Sequence, residues 1–318
     1  MMILKSTDTI RIILLTALIV AVPVLFGESY VADFLSLDSD FSSAGLGGSN
    51  FYGGGATAVF CNPAMVMKAD GVRYYASHEG LFGGLAIADA AGALIRTSQG
   101  DIAIGAMYVG GGGIEVTELP DPTKPVGPDN RPYSVGEKGH HDIAIGAGYS
   151  LPVMEGLSIG ASAGGIFRRL VDSDGYGGFA SVGVDWIAAR GLRFGAVASN
   201  ASYVSWETGN SEFGAPEFLI GGAFSRDFGS GFDGTVVSEG RFLTSSSNIE
   251  LSAGAEVSYR SLAAIRLGTE NGGLTAGADL AIFPGIRVGA AMTTHTELPI
   301  SYRFGLNVYG DGAKESVD

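Results

Sequence analysis

The chain has 318 residues, a net charge of −14 and only 16% charged residues. That length holds one large or two ordinary domains, and the acidic balance disfavours nucleic acid as a partner. Fifty-one glycines without a triplet period exclude collagen, and 46% hydrophobic residues exclude a disordered chain.

Residues 1–27 read as a secretory signal. Lys5 and Arg11 give a basic start, a 15-residue apolar run extends from Ile12 to Phe26, and small Gly27 precedes Glu28. The run is short for a membrane helix, which needs about 20 residues. Cys61 is the single cysteine, so no intrachain disulfide forms, and its expected state is a buried, inert thiol.

Residues 28–71 show no clean alternation. Ala44-Gly45-Leu46-Gly47-Gly48 is followed by Gly53-Gly54-Gly55 and then by Asn62-Pro63-Ala64. A phosphate loop needs a Lys followed by Ser or Thr at a fixed position, and none follows. Asn-Pro forces Asn62 out of helical geometry, so the stretch is compact and irregular.

From Val72 onward the period is two, as in a strand with one oily and one polar face. Candidate strands are Val72–His78, Leu85–Thr97, Asp101–Val109, Asp142–Ser150, Leu157–Arg168, Gly178–Ile187, Leu192–Ser199, Glu217–Arg226 and Phe232–Arg241. Five more lie between Asn248 and Tyr309, giving about fourteen. In the last stretch, Ile249, Leu251, Ile282, Phe304 and Val308 fall on one face and Glu256, Asp279 and Arg303 on the other. Gly110–His140 carries five prolines between Pro120 and Pro132 and reads as a long surface loop. His140 and His141 are assigned to that loop, because no acidic or cysteine cluster completes a metal site. Asp172–Gly177 and Asn200–Pro216 read as further loops and Pro152–Gly156 as a turn.

The connections are sorted by length. Those after even strands are all short, whereas the two longest follow odd strands. Outer-membrane barrels have this pattern, with short periplasmic turns and long outer loops. The fold class is therefore all-β: an antiparallel transmembrane barrel of about 14 strands (72–310), an N-terminal segment (28–71) and a tail (311–318). Closure satisfies every backbone group, as lipid demands. The charged inner set is Arg168, Asp185, Arg193, Glu250, Glu256, Arg260, Arg266, Asp279, Arg287 and Arg303, with opposite signs expected to pair across a narrow lumen. No Ser/His/Asp set is placed together, so no enzyme activity, cofactor or metal is expected.

The order of these motifs resembles the FadL-like outer-membrane β-barrels, specifically their PorV/PorQ-like branch. The matching residues are Gly45, Gly47 and Gly48, then Asn62, Pro63 and Ala64, then the stretches Ala263–Leu280 and Glu297–Tyr309. The chain departs from that pattern in having Gly54 and Gly55 in place of an acidic pair and Cys61 in place of an aromatic. The resemblance implies an outer-membrane location and a hatch formed by the N-terminal segment. It also implies one of two partner classes: secreted cargo or secretion-machinery proteins, as in type IX-like export, or hydrophobic small molecules taken up through the barrel. The charged inner set leans away from a fatty-acid path, which wants apolar lining.

Overall fold

The computed structural model describes residues 31–38, 40–67, 72–244 and 246–309. The expected signal segment and the C-terminal tail lie outside the described residues, as do both ends of the segment 28–71.

Fifteen strands are found among the described residues. They are β1 (Val72–Leu81), β2 (Ala86–Arg96), β3 (Asp101–Glu118), β4 (Tyr133–Met154), β5 (Leu157–Leu170), β6 (Ser173–Ala189), β7 (Leu192–Trp206), β8 (Ser211–Gly214), β9 (Glu217–Gly229), β10 (Phe232–Leu243), β11 (Asn248–Tyr259), β12 (Ala263–Glu270), β13 (Gly273–Phe283), β14 (Ile286–Thr293) and β15 (Ser301–Tyr309). Fourteen form a closed antiparallel wall, because β1 pairs with β2 on one side and with β15 on the other. The short β8 is a hairpin partner on the far part of β7. Among the described residues no helix is long and apolar enough to cross a membrane. The strands do so instead, as closure leaves no unpaired edge for lipid to meet.

Alternation sets the two faces. Ile249 and Leu251 are 71% and 70% exposed on the outside, while Glu256 and Asp279 are 8% and 6% exposed inside. The exposed outer set continues through Ile145, Ile220, Ile265, Leu267, Leu274 and Phe304, an oily surface that water would penalise and hydrocarbon accepts.

Four sequence expectations are corrected. Gly110–His140 is mostly strand. β3 runs on to Glu118 and β4 begins at Tyr133, with Glu115 opposite Glu137. The ribbon was hidden because Gly111–Gly113 interrupt the alternation with a register shift, Gly113 having φ 75°. The prolines cluster at the tip, where Asn130 donates to the Asp121, Lys124 and Pro125 carbonyls. His140 and His141 accordingly sit in β4, and the Tyr108 hydroxyl lies 2.8 Å from His141 Nδ1. Asp172–Gly177 is likewise strand from Ser173. Half of Asn200–Pro216 also pairs: β7 bends at Asn200 (φ 62°) and continues to Trp206 against β6 and β8. The turn expected at Pro152–Gly156 shrinks to Glu155–Gly156, because β4 carries on through Pro152 to Met154.

The N-terminal segment lies inside this wall. It makes four short helical turns, Asp33–Ser36, Phe41–Ala44, Ala56–Phe60 and Pro63–Met67. Glycines and the Asn-Pro step prevent longer helices. Leu35, Phe41, Leu46, Phe51, Val59 and Val66 are almost fully buried, each contributing about 1.5–3 kcal/mol of burial.

Candidate functional site

The site is the lumen and the segment that divides it. Each end of the Gly-rich and Asn-Pro-Ala motifs rests on a seat made by glycines on the inner face of the wall. A Cβ on Gly45 would meet Gly277 Cα at 3.0 Å, and Leu46 lies against Gly254 and Gly268. Gly47 donates its N–H to Thr275 Oγ1 (3.0 Å), and Thr275 donates to the Gly45 carbonyl (3.2 Å). Gly47 has φ 76° and Gly48 φ 70°, backbone geometry that suits glycine. This seat belongs to β11–β13.

The second seat belongs to β5 and β6. Asn62 donates through Nδ2 to the Val184 carbonyl (3.2 Å) and accepts at Oδ1 from the Ala64 N–H (3.1 Å). A Cβ on Gly183 would stand 2.2 Å from Asn62 Oδ1, and one on Gly160 2.3 Å from the Pro63 carbonyl oxygen. Ser150 of β4 closes the corner by donating to the Ala64 carbonyl at 2.8 Å. Around the fourteen-strand wall, β5 and β13 stand seven strands apart. The two motifs therefore grip opposite sides of the barrel, and the segment crosses it as a bar. Phe51 against Gly195 and Gly221, and Phe41 against Gly289 and Gly305, add two aromatic knobs.

Inner charges join the bar to the wall. Tyr52 donates to Glu256 (2.6 Å), whose carboxylate also meets Arg266 (2.6 Å). Arg266 bridges on to Asp279 (2.5 Å), which Arg287 pairs from the other side. Burial, with Glu256 next, holds the Tyr52 phenol well above its usual range, so it remains a donor. Glu239 accepts from the Asn50 backbone N–H (2.8 Å) and side chain (3.1 Å). Asn307 donates to Asp40 (2.9 Å), and Ser36 to Glu217 (2.7 Å). Arg168 pairs with Asp142 (2.7 Å), donates to the Val31 carbonyl, and packs over Phe34 and Trp206.

Most of the expected inner charges are thus placed in one lumen. Arg193 meets Asp185 at 2.9 Å, Arg303 pairs with Glu79, and Glu250 is half-buried at the long-loop end. Arg260 is the exception. It has φ 48° in the β11–β12 turn and is exposed, its guanidinium 5.1 Å from the Tyr259 ring centre. The period of two carried Arg260 onto the inner face because the strand was extended one residue too far. Sequence reasoning missed Glu79, Glu239 and Arg241, although all three share parity with inward Ser77 and Val237 and were legible by alternation. It also missed Tyr52, Phe41 and Phe51, which carry no periodic signal.

The bar leaves a chamber at each end. At the long-loop end a cavity of about 390 Å³ is lined by Leu37, Asp38, Leu81, Phe82, Glu270 and Leu298, with Arg303 behind. At the short-turn end one of about 590 Å³ is lined by Phe51, Tyr52, Met67, Met154, Leu157 and Ile187. On the outer wall, behind Gly160 and Gly183, lies an apolar groove of about 650 Å³ that includes Val182, Phe218 and Ile220. Among the described residues no group of His, Cys, Asp and Glu has the arrangement of a metal site.

No family model matches the chain, and no curated protein matches it. Solved structures do. The CymD monoaromatic hydrocarbon channel aligns over 84% of this chain and 96% of its own, with 13% identity and a TM-score of 0.55. The Pseudomonas putida toluene transporter TodX aligns over 86% of this chain and 97% of its own, with 11% identity and a TM-score of 0.52. At such identity the likeness is one of fold: a closed, 14-stranded antiparallel barrel.

Proposed function

We propose that the chain is an outer-membrane channel for small hydrophobic molecules, closed at rest by its N-terminal segment. One observation carries the reading. A single bar, seated on opposite walls, separates two chambers that both present apolar side chains to the lumen. Displacing the bar joins the chambers, and the glycine seats offer a surface it can leave without breaking any wall pairing. The fold shared with a hydrocarbon channel and a toluene transporter supports the same reading. The long-loop end would face outward and the short turns the periplasm.

The mechanism follows from the contacts. A neutral solute enters the long-loop chamber and rests on Leu81, Phe82 and Leu298. Towards the long loops the bar is held by polar bonds to Glu239, Glu217 and Arg168. Such bonds exchange more readily than buried aromatic packing, because each contributes only about 0.5–1.5 kcal/mol net, up to about 3 to a charged group. Loosening that edge opens a path beside the bar to the chamber under Phe51 and Tyr52.

Export docking was the first function drawn from the family resemblance, with hydrophobic uptake as its alternative. The one structural support for docking is the β3–β4 ribbon, an ordered projection of 31 residues from Gly110 to His140. Transport is the stronger reading, because apolar side chains line chambers on both sides of the bar. The test is uptake of radiolabelled toluene by cells that make the protein and by matched cells that do not. Faster uptake supports the channel, and equal rates overturn it.

A further inference from the structure

The outer face of the wall carries ionisable groups among its oily ones. His78 of β1 and Asp89 of β2 are register partners on that face, with side chains 55% and 46% exposed, whereas Ser77 and Glu79 on either side of His78 are buried towards the lumen. His78 Nδ1 lies 2.7 Å from Asp89 Oδ1, which leaves each group a second polar atom for a ligand. Asp89 is in turn opposite Tyr108 of β3, and the Tyr108 hydroxyl meets His141 of β4. His141 pairs with Gly110, two residues beyond Tyr108, so this polar track climbs towards the long loops. Ionisable side chains that face lipid are costly and mark a site by default. On the other side of His78 the face is apolar. A shallow groove of about 800 Å³ runs over β13, β14, β15 and β1 and reaches His78. Its upper row is Ala278, Ala290, Phe304 and His78 in register, and the row nearer the short turns includes Leu280 and Leu306. The two alanines give it depth between larger neighbours.

An apolar groove whose polar end lies towards the long loops fits an amphiphile of the outer leaflet, its chain low on the wall and its head high. The polar end also selects the head. The Asp89 carboxylate disfavours a phosphate held at that level. An imidazole, a carboxylate and a phenol together give and take hydrogen bonds with hydroxyl and amide groups. We propose that this face seats a hydroxyacyl glycolipid of the lipid A type. One acyl chain lies in the groove, and the hydroxyl and amide groups at the base of the chains bind His78 and Asp89. The proposal rests on this face meeting lipid and is independent of what the lumen carries.

The experiment is native mass spectrometry of the full-length protein in mild detergent, with purified lipid A and phosphatidylglycerol as probes. The seat predicts one lipid A retained per chain, and an equal concentration of phosphatidylglycerol should not displace it. Two variants, each verified as folded by heat-modifiable migration, separate the parts of the seat. The double variant His78→Leu, Asp89→Leu removes the polar end, and Ala290→Phe fills the groove without touching that pair. Each should weaken lipid A retention by on the order of tenfold. Equal retention by the wild type and both variants overturns the seat, as does displacement by phosphatidylglycerol or a wild type that retains no lipid A. A stable dimer that the same substitutions dissociate assigns the face to a second copy and also overturns it. Toluene uptake tests the channel separately, so either reading can fail without the other.

Discussion

Tyr52 donates its phenol to Glu256 at 2.6 Å, joining a residue of the crossing segment to a chain of wall charges that runs through Arg266 to Asp279 and Arg287. The charges expected merely to neutralise one another also hold the bar. Their members should be unequal. Tyr52→Phe leaves Glu256 paired with Arg266 and should cost about 1 kcal/mol. Arg266→Leu takes the only charged partner shown from buried Glu256 and one of two arginines from Asp279, and should cost about 3–5 kcal/mol. Denaturant unfolding of the two variants checks the order, and equal losses would contradict it.

Gly45 and Gly277 approach backbone to backbone, with no flexible side chain to give way. Gly45→Ala should therefore overpack that seat, costing about 1–3 kcal/mol. The barrel itself should survive, since no wall hydrogen bond is touched. The expected outcome is normal heat-modifiable migration together with raised permeability to large hydrophobic antibiotics, scored in a susceptibility assay.

Asn62 holds the opposite seat by one bond given and one accepted. Asn62→Ala leaves the Val184 carbonyl and the Ala64 N–H unpartnered by that side chain, at about 1–3 kcal/mol. Combined with Gly45→Ala, the two losses should add within about 0.5 kcal/mol, because the seats lie on opposite walls and share no partner. A double-mutant cycle by chemical denaturation measures this.

Asp38 gives the bar a pH dependence. Burial first, then Glu79 and Asp40, raise its carboxyl from 3.8 to about 6, against the opposing pull of Arg303 and Arg241. Glu270 also faces it from the same chamber. The seated state thus keeps a proton that the unfolded chain has already lost between about pH 4 and 6. Its stabilising contribution is full below the unfolded value and is lost as pH rises through about 6. Thermal unfolding at pH 5 and 7.5 should show a stabilising contribution at the lower pH that Asp38→Asn reduces.

The ribbon should be dispensable for transport. Glu115 and Glu137 are register partners, so Val116–Gly136 can be replaced by a two-residue turn without disturbing the wall. Hydrocarbon uptake should persist in that deletion, and its loss would make the ribbon part of the channel.

The wall was legible because its physics is local: alternation alone placed Ile249 outside and Asp279 inside. Gly111–Gly113 and Asn200 defeated the same rule, since a bulge or a left-handed residue shifts parity while pairing continues. The bar was legible only as motifs. Nothing in the spacing of Gly45 and Asn62 says that they rest on opposite walls, because that follows from barrel closure and from glycines far downstream, Gly160 and Gly183 for one seat and Gly254, Gly268 and Gly277 for the other. The knobs Phe41 and Phe51 are invisible for the same reason: their partners Gly289 and Gly195 look like any other strand glycines.

Cys61, the single cysteine, sits in the bar between its two seats, which makes it a reporter of bar movement in the native protein. The decisive measurement is the rate of Cys61 labelling by a small membrane-impermeant maleimide, with and without saturating toluene. A bar that moves to open the channel predicts slow labelling at rest and a marked acceleration with toluene and in Gly45→Ala. One labelling rate under all three conditions would contradict a mobile bar.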